Sequence, residues 1–185
     1  MTLFEYLAAA HTLLITFALT RALSGVAQAI RPSRRSLLHL SWLGFIVSHC
    51  LFAFWSMWGY ADVEWTLTSF LGLLMVPALM YVFTSVVVPT APSAIESWQD
   101  YFFENRVPLF ATGALIFSGI VLSNQLIQGS SPTHPLEFTL YATIAVFAAG
   151  LASANSRVHK VLAIWPVVSF FLFLHQLDQP AQLFR

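Results

Sequence analysis

Six apolar stretches, each close to the length that crosses a bilayer, occupy almost all of the 185 residues, and basic residues fall in alternate connections between them. A spanning helix needs roughly 20 predominantly apolar residues. The pattern therefore specifies an all-α, polytopic integral membrane protein, with six transmembrane helices in a compact bundle that forms one transmembrane domain over residues 1–185. The spans are expected at about 3–30, 37–60, 65–88, 107–127, 136–154 and 161–177. The first is stopped by Arg31-Pro32 and the third by Pro89 and Pro92, because proline disfavours helix at the preceding residue and arginine prefers the interface.

Composition agrees: 58% of residues are hydrophobic and 9% charged, against about 25% charged in an ordinary globular chain. A soluble surface cannot be built from this. The net charge of zero and a basic cluster of only Arg31, Arg34 and Arg35 exclude a nucleic-acid partner, which needs an extended basic face. Cys50 is the single cysteine, so neither an intrachain disulfide nor a CxxC metal site is available. The start Met1-Thr2-Leu3-Phe4-Glu5 lacks the basic region of a secretory signal, and the first apolar run is expected to stay as a membrane helix.

Lysine and arginine favour cytoplasmic connections. Arg31, Arg34 and Arg35 lie in the first connection, Arg106 in the third, and Arg157 with Lys160 in the fifth, while Glu5, Asp62, Glu64, Glu137 and Asp178 share the opposite side with Arg185. Both termini are thus expected outside, periplasmic in a bacterium. Trp55, Trp58, Tyr60 and Trp65 cluster at the second connection, where an interfacial aromatic belt explains them in preference to a ligand cage. In the third connection, Ser93 and Glu96 form a capping-box pattern, and Ile95, Trp98 and Phe102 recur at helical spacing. An interfacial helix is expected over about 94–105, lying on the inner surface or docked by its acidic side against Arg31, Arg34 or Arg35.

Some residues are not explained by lipid. Thr12, Thr16, Thr20 and Ser24 recur every four positions of the first helix. Such a stripe is expected to face protein or water, with its hydroxyls bonded back to the helix carbonyls or lining a polar path. Ala148, Ala149, Gly150, Ala152, Ser153 and Ala154 form a small-residue face suited to close helix packing. Arg21 lies about 15 Å along the helix axis from Arg31. It either snorkels to the interface or anchors an anion, polar backbone, Asn124 or Gln125. His11 and His49 sit at estimated depths of about 12 and 16 Å from the same side. Neutral imidazoles at similar depth suit a proton relay, a metal or a heme. Pro77 and Pro166 should each kink the third helix of a half, and a faint pairing of Phe4 with Phe103, Glu5 with Glu104, Leu23 with Leu122 and Ser24 with Ser123 suggests inverted repeats, a transporter and channel architecture.

HExxH, Walker, GxGxxG and GxSxG motifs are absent, and the reading leans away from an enzyme. The leading expectation is a protein that passes or binds a small ion or solute along a path involving the first helix, with Arg21, Thr12, Thr16, Thr20, Ser24, His11 and His49 as candidate residues. The alternatives are a membrane redox, metal- or heme-binding protein using His11 and His49, and a non-catalytic membrane assembly subunit. No cofactor is strongly indicated. The partners expected are the lipid bilayer, a small ion or solute, and a second copy of the chain.

Overall fold

The computed structural model describes residues 2–31 and 35–177, and these form helices α1 (Leu3–Ala29), α2 (Leu37–Ser56), α3 (Leu67–Val87), α4 (Trp98–Glu104), α5 (Arg106–Ile127), α6 (Pro135–Ala152), α7 (Ser156–Leu162) and α8 (Trp165–Leu177). A 3₁₀ turn over Met57–Tyr60 extends the second span, and α7 with α8 makes the sixth. The protein is therefore a multi-pass membrane protein with six apolar crossings. Arg34, Asp178 and Arg185, used above for orientation, lie outside the described residues.

Short polar residues set where the helices begin. Thr2 and Glu5 form a capping box on α1, Thr66 and Ser69 form one on α3, and Ser36, Ser97 and Asn155 cap α2, α4 and α7. Each satisfies amide hydrogens that the first helical turn leaves free. The cap of α4 is Ser97, with Asp100 three residues on, so the helix starts at Trp98, later than the Ser93/Glu96 pattern implied. The apolar side of α4 faces the bundle. Trp98 and Phe102 are both 1% exposed: the indole stacks on His39 at 4.5 Å, and Phe102 meets Phe110 and His159 edge-on. Arg31 and Arg35 remain exposed. Ring packing at the end of the bundle holds α4.

The two prolines act differently. α3 runs unbroken through Pro77, whereas the sixth span breaks at Ala163-Ile164, directly before Trp165-Pro166. Helix resumes with Val167 and Val168 both donating to the Ile164 carbonyl. The chain also enters this span at Ser156, five residues earlier than expected.

Side-by-side packing runs α1, α3, α5, α6, α8, α2 and back to α1, which closes a ring. The halves do not repeat this packing. In the first, α1 touches both α2 and α3 extensively; in the second the middle position belongs to α6, which touches α5 and α8. The inverted-repeat reading is not supported by this arrangement.

In lipid, water exclusion does not drive helices together, so close steric fit has to. The tightest fit is between α5 and α6, where Gly113 receives the ring of Phe147 and Gly150 receives that of Phe110. Trp42 packs on both of those rings, at 5.0 Å from Phe110 and 5.3 Å from Phe147. On the opposite wall α8 sets Phe173 5.0 Å from His49 and 5.8 Å from Phe52. Leu13, Leu71, Phe138 and Phe171 are among the large apolar side chains left on the outside for the acyl chains.

Candidate functional site

A cavity of about 130 Å³ lies inside the ring, toward the face that carries Tyr60 and the α5–α6 turn. This is near the volume of engineered protein cavities that hold one benzene. Every helix of the ring contributes to its wall: His11 from α1, His49 and Ser56 from α2, Met80 from α3, Asn124 from α5, Leu140 from α6 and Phe173 from α8.

His11 and His49 are thus brought to one cavity. The Nδ1 of His49 lies 2.7 Å from the Phe45 carbonyl oxygen. A carbonyl only accepts, so Nδ1 carries the hydrogen, and Nε2 of the neutral ring is left as an acceptor. That Nε2 has no partner among the described residues, and neither has Nδ1 of His11. Such unpaired buried groups are rare in folded proteins and each calls for an explanation. Phe45, Phe52, Phe117 and Phe173 surround the His49 ring.

Glu137 has a different place from the one its position suggested. It is the third residue of α6, where an acid ordinarily faces water beside the positive end of the helix dipole, yet it is fully buried. Asn124 donates to its Oε1 at 3.0 Å, and its Oε2 has no partner among the described residues. Asn124 lines the cavity, as do Leu136 and Leu140 on either side of Glu137 along α6. The carboxyl group is therefore one residue behind the wall. Tyr60 is also in the wall. The pairing was legible in principle, because Asn124 and Glu137 each sit about three residues from the α5–α6 turn and must share a depth. The turn aromatics also divide: Trp58 is exposed as a belt residue should be, while Tyr60 is buried and lines the cavity together with Trp55.

The first-helix stripe is not part of this site. Thr12, Thr16, Thr20 and Ser24 all lie on the exposed side of α1, opposite the buried line of Leu7, His11, Ile15, Ala18, Ala22 and Gly25. Thr16 donates to the Thr12 carbonyl and Ser24 to the Arg21 carbonyl. The stripe does not line the cavity, and Thr16 and Ser24 show the back-bonding expected of it: hydroxyls that satisfy themselves on their own helix can be left on an outer surface.

Arg21 is remote from the cavity wall as well. Its Nε and one terminal nitrogen donate to the Val88 carbonyl at 3.1 and 2.8 Å, so the partner is polar backbone. Val88 caps the C-terminal end of α3, where unpaired carbonyls and the negative end of the dipole attract a cation. Next to it, Tyr101 donates to the Val86 carbonyl at 2.7 Å. Burial pushes the Tyr101 phenol above its ordinary ionisation range, and the Arg21 charge opposes that shift. Arg106 likewise donates to Leu151 and Ser153 at the end of α6.

Among the described residues no three His, Cys, Asp or Glu side chains converge on a point where a metal ion would sit. A benzene-sized cavity does not admit a porphyrin without rearrangement. The wall offers hydrogen-bond acceptors, many ring faces, and no lysine or arginine. Comparison with protein-family models, with curated proteins and with solved structures gives no match.

Proposed function

We propose that this protein binds a small solute in the cavity within its helix ring, as the loading site of a bundle that passes or senses that solute, with the basic connections on the cytoplasmic side. The observation that carries the reading is that His49 and His11 line one cavity within the helix ring and that each has an unpartnered ring nitrogen, Nε2 and Nδ1 respectively. Buried polar groups of this kind lose free energy until a partner meets them. The path is the cavity itself and not the outer face of α1.

Occlusion tests the proposal. Ala53 lines the cavity and is only half buried, so Ala53→Phe fills space without deleting a packed group. In lipid nanodiscs, small donors such as n-propanol should raise the unfolding temperature of the wild type in a saturable way, and Ala53→Phe should abolish that effect. Equal responses from the two proteins would sink the reading.

A second reading, a membrane assembly subunit, draws on the exposed hydroxyls of α1 and the exposed Ala148, Ala149 and Ala152 of α6. Small residues on an outer face let another helix approach closely. Thr16→Cys in a Cys50→Ala background should then crosslink to a second copy or another subunit in native membranes. No adduct under oxidising conditions counts against it.

A further inference from the structure

The ligand class can be narrowed, and this step rests on the solute-binding reading above. We infer that the cavity selects a small organic ammonium ion, with its N–H groups toward His49 Nε2 and His11 Nδ1, its alkyl body against the phenylalanine rings, and its charge balanced by Glu137 behind Asn124.

Three observations converge. First, a buried carboxyl group stands behind the wall, and no lysine or arginine lines the cavity. Glu137 is fully buried, its Oε1 accepts from the neutral amide of Asn124, and its Oε2 is unpartnered among the described residues. The described arginines with bonded partners, Arg21 and Arg106, are engaged with carbonyls at the C-terminal ends of α3 and α6, at the opposite end of the bundle from the α5–α6 turn. A buried carboxylate without a cationic neighbour is costly, and an arriving cation removes that cost.

Second, the wall holds an unpartnered acceptor, beside hydroxyl and amide groups of Ser56, Tyr60, Ser123 and Gln128 that can accept as well as donate. In the neutral ring His49 Nε2 is an acceptor, because Nδ1 is committed to the Phe45 carbonyl. An anion would meet lone pairs there, and an ammonium meets partners.

Third, the wall is aromatic. Phe45, Phe52, Phe117 and Phe173 present rings around the same imidazole. Cations bind over ring faces, most strongly when desolvated. A bare metal ion would use neither the rings nor the apolar volume, whereas an alkylammonium of two or three carbons uses both. At an effective dielectric of about 20, two unit charges roughly 8 Å apart attract strongly enough to change an affinity by more than about tenfold.

The experiment measures saturable thermal stabilisation of the full chain in nanodiscs of neutral lipid by ethylammonium, n-propanol and propionate. Ethylammonium should bind at least about tenfold more tightly than n-propanol, and propionate should not bind. Glu137→Gln keeps an amide-sized group facing Asn124, and should remove the ethylammonium preference while leaving n-propanol unchanged. If Glu137→Gln does not fold, the three-probe comparison on the wild type decides alone. Equal affinity for ethylammonium and n-propanol, or an unchanged preference in Glu137→Gln, overturns the ammonium assignment and leaves solute binding intact. No saturable response to any probe, in wild type and Ala53→Phe alike, overturns both.

Discussion

A Cβ built on Gly113 would fall within the ring of Phe147, and the same is true of Gly150 and Phe110, so α5 and α6 exchange one phenylalanine for one glycine in each direction. Neither glycine is a turn residue. Both sit within helices, where glycine costs about 1 kcal/mol relative to alanine, and the ring seated on each recovers that loss through contact. Gly113→Ala should therefore destabilise the protein by about 1–3 kcal/mol, the usual cost of overpacking, despite its better helix propensity. Thermal unfolding in detergent would measure it. Restoration of stability by adding Phe147→Leu would identify the steric origin, and a neutral Gly113→Ala would contradict the fit described.

The docking of α4 depends on the stacked pair Trp98 and His39. Trp98→Ala removes a side chain that is 1% exposed, and should cost about 3–5 kcal/mol if α4 remains in place. If α4 detaches instead, the cost is smaller and the connection between α3 and α5 becomes open to protease. Proteolysis of reconstituted protein distinguishes these outcomes from a third, an unchanged and protected variant, which would show that Trp98 does not hold the helix.

Arg21 and Tyr101 should be coupled through their shared end of α3. Arg21→Leu leaves the Val88 carbonyl unpaired and is expected to cost about 1–3 kcal/mol, with Arg21→Lys recovering part because one amine cannot reproduce the two-pronged contact. Because burial holds the Tyr101 phenol neutral above its ordinary range and the arginine charge works against this, Arg21→Gln should move its ionisation to still higher pH. The stability contributed by the neutral phenol is present below the unfolded ionisation range near 10 and is lost as pH rises through the folded value. Difference spectra against Tyr101→Phe would follow it, and a shift toward lower pH would contradict the coupling.

Orientation has its own test. Asn155 is exposed in the basic connection before α7, so Asn155→Cys in a Cys50→Ala background should resist an impermeant thiol reagent in intact cells and react after permeabilisation. Immediate labelling would invert the topology.

The sequence made the six crossings legible because lipid forces long apolar runs and loops announce themselves with Pro, Asp and Arg. The second span, 37–60, agrees at both ends with the helix and its 3₁₀ extension. The site was only half legible. Matching depths pointed to His11 and His49, since depth follows from counting residues along a helix. Facing does not. In water, hydroxyls mark the wet side of a helix, but in a bilayer a threonine can bond to its own backbone and sit outside, as Thr16 does. Glu137 was hidden by the opposite effect: an acid in the first turn of a helix looks like an ordinary dipole partner, and only the fold places it inside.

The ring of helices is closed by the contact between the second span and the last, and synthesis supplies those two pieces far apart in time. His49 leaves the ribosome 124 residues before Phe173, the ring that will cover it. At about 5–20 residues per second, that interval is roughly 6–25 s. Throughout it, the side of the imidazole that Phe173 will cover must be accommodated by lipid headgroups, water or the insertion machinery. A nascent chain stalled after the sixth residue of α8 should therefore present His49 to imidazole-reactive probes too large for the cavity of the finished protein.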